Sequence, residues 1–234
     1  MQIVESRVAF YKTQEGQRTS RGFERQRYVL QDDRSVCLNV FSVASDLKIN
    51  REVTINLDER WLPIDSYVRI HHGDRLEGAG WFLFEQGFVK SQVQRPGGGL
   101  VEQQQRFDDG PAVFCAHPIA TDALLTAGCS REEPGAVQLL PQVFLSSPHH
   151  FGATGPELAH TQLEMSYLGV EDVTAAGINF KADHYRIAAG NDTTGHTHPG
   201  EDIWTLKDTA IFLRAEIVAL GYEYELTHYS RQES

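Results

Sequence analysis

Hydrophobic and polar positions alternate in short runs along most of the chain, with turn-forming residues between the runs. In AIFLRAEIV the apolar Ile211, Leu213, Ala215 and Ile217 alternate with Arg214 and Glu216, the period of a strand with one buried and one wet face. Similar runs in FERQRYVL, SVCLNVFSV, REVTINLD, SYVRIHH, GWFLFEQGFVKSQVQ and LVEQQQRF, without helical patterns between them, predict an antiparallel meander. The RPGGG stretch at 95–99 supplies residues that tolerate positive φ between two mostly polar flanks, and predicts a hairpin projecting into water. A second strand series follows in LAHTQLEMSYLGVEDV, INFKADHYRIAAG, DIWTLKD, AIFLRAEIVAL and YEYELTHY.

Between the two series, HPIATDALLTAG predicts one short helix. Pro118 fits its first position, Gly128 fits a left-handed C-terminal cap, and Ile119, Leu124 and Leu125 share a face. A lone helix of this kind plugs one end of a barrel or packs across the open side of a curved sheet, because its apolar face needs cover. No linker, low-complexity tract or fixed-period repeat separates the two series. The expected architecture is all-β with one or two short helices, a lipocalin-like antiparallel barrel or strongly curved open sheet, forming a single domain over 1–234.

Composition narrows the function classes. With 41% hydrophobic residues, the 234-residue chain has enough apolar side chains for a large core. Twenty-one basic residues against 32 acidic ones leave a formal charge of −11, which repels a phosphate backbone and argues against nucleic acid as a partner. No stretch approaches the roughly 20 apolar residues of a spanning helix, and MQIVESRVAFYK lacks the basic lead of a secretory signal, so no membrane association is expected. Three cysteines, Cys37, Cys115 and Cys129, without C-x-x-C spacing suit a reducing compartment, and the cytoplasm is the expected location.

Over residues 115–228 the order of elements resembles a bacterial group of uncharacterised single domains. Those domains read as G-x-E-x-V, a Gly-led strand, a D-x-W strand and a final tyrosine strand. Gly169, Glu171, Val173, Gly177, Phe180, Ala182, Asp202, Trp204 and Tyr224 carry the match. The resemblance implies a curved or barrel-like antiparallel sheet similar to lipocalins, with an interior able to hold an apolar ligand, and implies no activity.

Candidate chemistry rests on histidines. GHTHPGEDIW keeps the Gly190, His196 and His198 spacing of a cupin-type metal site, but Glu201 arrives too early, and Pro199 with Gly200 breaks the strand that would carry it. The expected reading is a solvated loop, with no metal and no cofactor. His72 shares parity with Val68 and Ile70, and His184 with Phe180 and Ala182, so both are expected to face inward. His149 and His150 lie in a Gly- and Pro-rich loop of the kind that rims a cavity, and His117 precedes the helix. His160, Gln162 and Glu164 form a polar row that is either the wet face of a strand or a barrel lumen. Cys115 reads as a buried, inert thiol.

The sequence reading is therefore a cofactor-independent enzyme acting on a small, largely apolar molecule in a barrel cavity. It would be an isomerase, dehydratase, lyase or cyclase, with His72, His149, His184 and Glu164 as acid–base groups. Tyr67, Trp81, His117, His150 and Trp204 would contact the substrate. One alternative is a non-catalytic carrier with the same pocket; the other is a cupin-like metal-dependent enzyme using His196 and His198. An exposed sheet edge would offer a route to a homodimer.

Overall fold

The computed structural model describes residues 1–108, 110–149, 152–191 and 197–233. The first half is a continuous antiparallel meander: β1 (Gln2–Gln14), β2 (Gln17–Leu30), β3 (Val36–Ala44), β4 (Ile49–Leu57), β5 (Pro63–His72), β6 (Arg75–Glu85), β7 (Phe88–Gln94) and β8 (Leu100–Arg106). The short strand β9 (Val113–Cys115), helix α1 (Ile119–Leu124) and β10 (Val137–Leu145) follow. The second series comprises β11 (Ala159–Ala175), β12 (Ile178–Ile187), the two-residue pair β13 (Gly190–Asn191) and β14 (Thr197–His198), β15 (Glu201–Leu206), β16 (Phe212–Ile217) and β17 (Tyr222–Glu233).

Fifteen of these strands form one curved sheet in the order β8-β7-β6-β5-β4-β3-β2-β1-β17-β16-β15-β12-β11-β10-β9. The two series join where β1 pairs antiparallel with β17. Two tight hairpins show how local sequence sets the register. Glu15–Gly16 and Ala176–Gly177 link their strands as two-residue turns with both φ values positive, the primed turn whose twist matches the strands it joins.

Strand β4 buries Ile49, Arg51, Val53, Ile55 and Leu57 on one side, and β1 does the same with Val4, Ser6, Val8 and Phe10. These rows and their neighbours enclose two apolar clusters, one centred on the first meander and one on the second series. Phe82, Phe84, Phe107, Phe114 and Phe144 form a linked aromatic contact between β6, β9, β10 and the segment after β8.

The two ends of the sheet meet without strand pairing between β8 and β9. Gln103 on β8 accepts the Leu158 N–H at 3.0 Å and donates to the Leu158 carbonyl at 3.2 Å, so a side-chain amide imitates a strand neighbour. Pro156 packs where Gly78 and Gly80 leave β6 without side chains.

Helix α1 lies on the concave side with Ile119, Ala120, Thr121, Ala123 and Leu124 buried. It differs from the sequence expectation at both ends. Pro118 is extended and precedes the first turn. At the other end the chain tightens into a 3-10 turn over Leu125–Gly128 and leaves extended at Cys129, so no left-handed cap is needed. Gly128 sits in a tight space instead: a Cβ there would stand 3.0 Å from the side chains of Leu140 and Val113. Among the described residues no helix is long and apolar enough to cross a membrane.

Candidate functional site

A cavity of about 150 Å³ lies between α1 and the concave face of the sheet. Its walls are largely apolar, with Phe10, Leu125, Leu145, Leu163, Ile187 and Ile217 contributing. Strand alternation delivers these residues. Leu163 shares a side of β11 with Thr161, and on β15 the inward row carries Glu201, Ile203 and Thr205.

Charged groups enter this apolar setting from several elements. Glu24 on β2 is fully buried, and its carboxyl oxygens accept the N–H groups of Ile119 and Ala120, each at 3.0 Å. It thereby caps α1 from 95 residues away in sequence, satisfying donors that no residue of the helix's own cap reaches. Gln26 also donates to Glu24 at 2.8 Å, and Ser6 and Tyr28 donate to Gln26, extending a buried polar chain beneath the sheet. Burial pushes Glu24 up to about 7 in spite of these three donors.

Asp122, on α1, is raised by burial to about 6, while a hydrogen bond from the Cys115 thiol at 2.7 Å and the charge of Arg51 hold it back. Burial and the adjacent Asp122 raise Cys115 well above the ordinary thiol range, which keeps it protonated and a poor nucleophile. Arg51 is 4% exposed, and burial lowers its guanidinium to about 10 against the pull of Glu24 and Asp122. Arg21 is engaged elsewhere: Nε lies 2.7 Å from Asp46, Nη1 donates to the Tyr224 hydroxyl at 3.4 Å, and the guanidinium stacks 3.4 Å above the Tyr222 ring.

Glu201 stands apart. It is 4% exposed and lines the cavity, yet its Oε1 has no hydrogen-bond partner among the described residues. Burial, then the charges of Asp122 and Asp202, raise it well above the usual carboxylate range. Tyr224 is raised in turn by burial and by Glu201.

The histidines and aromatics picked out in the sequence are mostly elsewhere. His72 is exposed, because the β5–β6 register shifts between Ile70 and His71 and the hairpin end leaves the packed interior. His184 is buried but on the side of the sheet opposite the cavity. The β12–β15 register is continuous and Ile187, three residues on, is the residue that lines the cavity. There the His184 ring stacks on Trp204 at 4.2 Å, with Nδ1 2.8 Å from Glu171 and Nε2 2.9 Å from Asp202. Trp204 donates its indole N–H to Glu171 at 3.0 Å, so this cluster stitches β11, β12 and β15 together.

Glu164 and Gln162 are exposed, which makes their row the wet face of β11 and the Thr161, Leu163 row the inner one. Tyr67 and Trp81 are a directly opposed cross-strand pair on the outer face, 40% and 56% exposed. His149 is half-buried in a turn where Ser147 accepts its N–H, and it does not line the cavity. His117 does line it, with φ at +70° and Nε2 3.2 Å from the Ser147 carbonyl. His150 and His196 fall outside the described residues. His198 and Pro199 line the cavity, so this part of the loop packs against the site instead of extending into water. Among the described residues no three His, Cys, Asp or Glu side chains are placed to hold a metal ion.

Two of the site residues carried a readable signal. Arg51 occupies the parity of Ile49, Val53, Ile55 and Leu57, a charge in an apolar row, and Glu201 shares the parity of Ile203. Glu24 carried none, because both parities of β2 are rich in polar residues.

No family model and no curated protein matches the chain. Among solved structures it is similar to a β-barrel-like protein of the domain of unknown function DUF1849 from Brucella abortus, with a TM-score of 0.59 and 10% sequence identity over 99% of this chain and 98% of that one. This likeness shows a β-barrel-like fold and carries no activity. It supports the broad resemblance seen in the sequence without a lipocalin's closed strand order.

Proposed function

We propose that the protein binds a small, largely apolar molecule with one polar group in the concave cavity. The observation that carries this reading is Glu201, a buried carboxyl that faces an apolar-walled cavity without a hydrogen-bond partner among the described residues. Leaving such a group unpaired costs about 1–3 kcal/mol, a cost that a ligand's polar end removes. The neighbouring ionisable groups favour holding over reacting, since Glu24 caps α1, Asp122 takes the Cys115 hydrogen and Arg21 is bound to Asp46.

The reading is tested by titrating 1-hexanol into the wild type and Leu163→Trp. Saturable binding in the wild type, weakened roughly tenfold or more when the indole fills the cavity, is the expected result. Equal affinities in both proteins would place the ligand elsewhere.

An enzyme that moves protons on the same ligand is a second reading, favoured by two cavity-wall carboxyls that burial raises, Asp122 to about 6 and Glu201 well above the usual carboxylate range. Ligand extracted from the purified protein and recovered unchanged after prolonged incubation supports binding; its conversion, lost in Asp122→Asn, supports catalysis.

A further inference from the structure

Most charges around the cavity are already answered within the protein. Arg21 is neutralised by Asp46, and Arg51 stands in the fields of Glu24 and Asp122. Glu24 accepts two helix N–H groups and the Gln26 amide. Glu201 differs from all of these. The charges acting on it most strongly are Asp122 and Asp202, both acidic, and Oε1 has no donor among the described residues. The missing element is one positive charge bearing N–H donors.

Resting on the reading of the cavity as a ligand site, we infer that its ligand is a small amine, whose ammonium pairs with the Glu201 carboxylate and whose apolar body lies against Leu163, Ile187 and Ile217. An ammonium supplies the absent charge and three donors, enough to engage Glu201 and to reach toward Asp122. The rings of Phe10 and Tyr224, packed edge to face with centroids 5.1 Å apart, belong to the same lining. A carboxylate or phosphate ligand would meet Asp122 and Glu201 as like charges, with Arg21 already bound to Asp46 and Arg51 already in the fields of Glu24 and Asp122. For a metal ion the donor set is poor: His198 Nδ1 accepts the Gly200 N–H at 3.2 Å, and no three metal-binding side chains converge among the described residues.

Binding carries a proton balance. The amine enters as an ammonium and the Glu201 carboxyl gives up its proton to solvent, so one proton is released for each ligand bound. Affinity therefore increases with pH through the range in which the empty site would keep Glu201 protonated. The groups that shape this response are those sharing the cavity with Glu201, namely Asp122 on α1, Tyr224 on β17, Arg21 on β2, Arg51 on β4, and His117 and His198, together with Asp202, which acts from the other face of the same strand.

Calorimetric titration of the full chain with hexylamine, 1-hexanol and hexanoate, at pH 8 and pH 5.5, tests this. The wild type is expected to bind hexylamine roughly tenfold or more tightly than 1-hexanol at pH 8, with hexanoate weakest, and to lose most of that preference at pH 5.5. Glu201→Gln is expected to bind the amine no more tightly than the alcohol. Thermal unfolding by circular dichroism checks that this variant is folded, and the wild-type comparison stands without it. If the wild type binds 1-hexanol but shows no preference for hexylamine, the amine assignment falls while the cavity remains a ligand site. A preference kept intact in folded Glu201→Gln overturns the role given to Glu201. Failure of all three probes to bind removes the cavity reading and the amine assignment together.

Discussion

At the scale of single residues, burial separates groups that look alike in sequence. His184 and Glu201 are both buried, but His184 has a carboxylate at each ring nitrogen and an indole against its face, whereas Glu201 faces open space. The first is a structural clasp. His184→Gln is therefore expected to lower stability by about 1–3 kcal/mol in urea denaturation while leaving 1-hexanol affinity unchanged; a selective loss of binding in a fully stable variant would return His184 to the site. Sequence parity suggested an inward His184 because Phe180 and Ala182 flank it. On β12, however, residues of both parities are buried, Asp183, Tyr185 and Ile187 among them, so alternation alone does not identify the cavity side.

At the scale of elements, the strand series, the hairpin at 95–99 and the position of α1 were legible because period-two alternation and turn chemistry are local properties. What was not legible depends on distant contacts. The acceptor that caps α1 comes from β2, and the closure of the sheet rests on the Gln103 amide meeting Leu158. Gly78 illustrates the same dependence. A Cβ there would lie 2.9 Å from Pro156 Cδ and 3.0 Å from two carbonyl oxygens, those of Gln94 and Gly155. Gly78→Ala is accordingly expected to push the 155–158 segment away from β6 and to cost about 1–3 kcal/mol, measured as a shift in the urea midpoint without loss of strand signal. An unchanged midpoint would show that this closure contributes little.

At the scale of the whole molecule, three interior carboxyls bind protons more tightly in the folded chain than in the unfolded one: Asp122 at about 6, Glu24 at about 7, and Glu201, which burial raises well above the usual carboxylate range. The stability they contribute is fully present below the unfolded values and is lost as pH rises through the folded ones, a tenfold difference in proton affinity being worth about 1.4 kcal/mol. The urea midpoint is thus expected to be higher at pH 5 than at pH 8, with a smaller difference in Glu201→Gln. Glu171 acts in the opposite sense. Hydrogen bonds from Trp204 and His184 hold it below its ordinary value, so its contribution is lost on acidification below that range and stability falls again.

These effects share one origin, a curved sheet that surrounds a small apolar space and places ionisable groups in it. The most direct test is a crystal structure of the protein grown with 1-hexanol. Density for the alcohol between Leu163 and Ile187, with its hydroxyl within hydrogen-bonding distance of Glu201, is the expected result. A cavity filled by side chains, or an alcohol bound only on the outer face beside Tyr67 and Trp81, would contradict it.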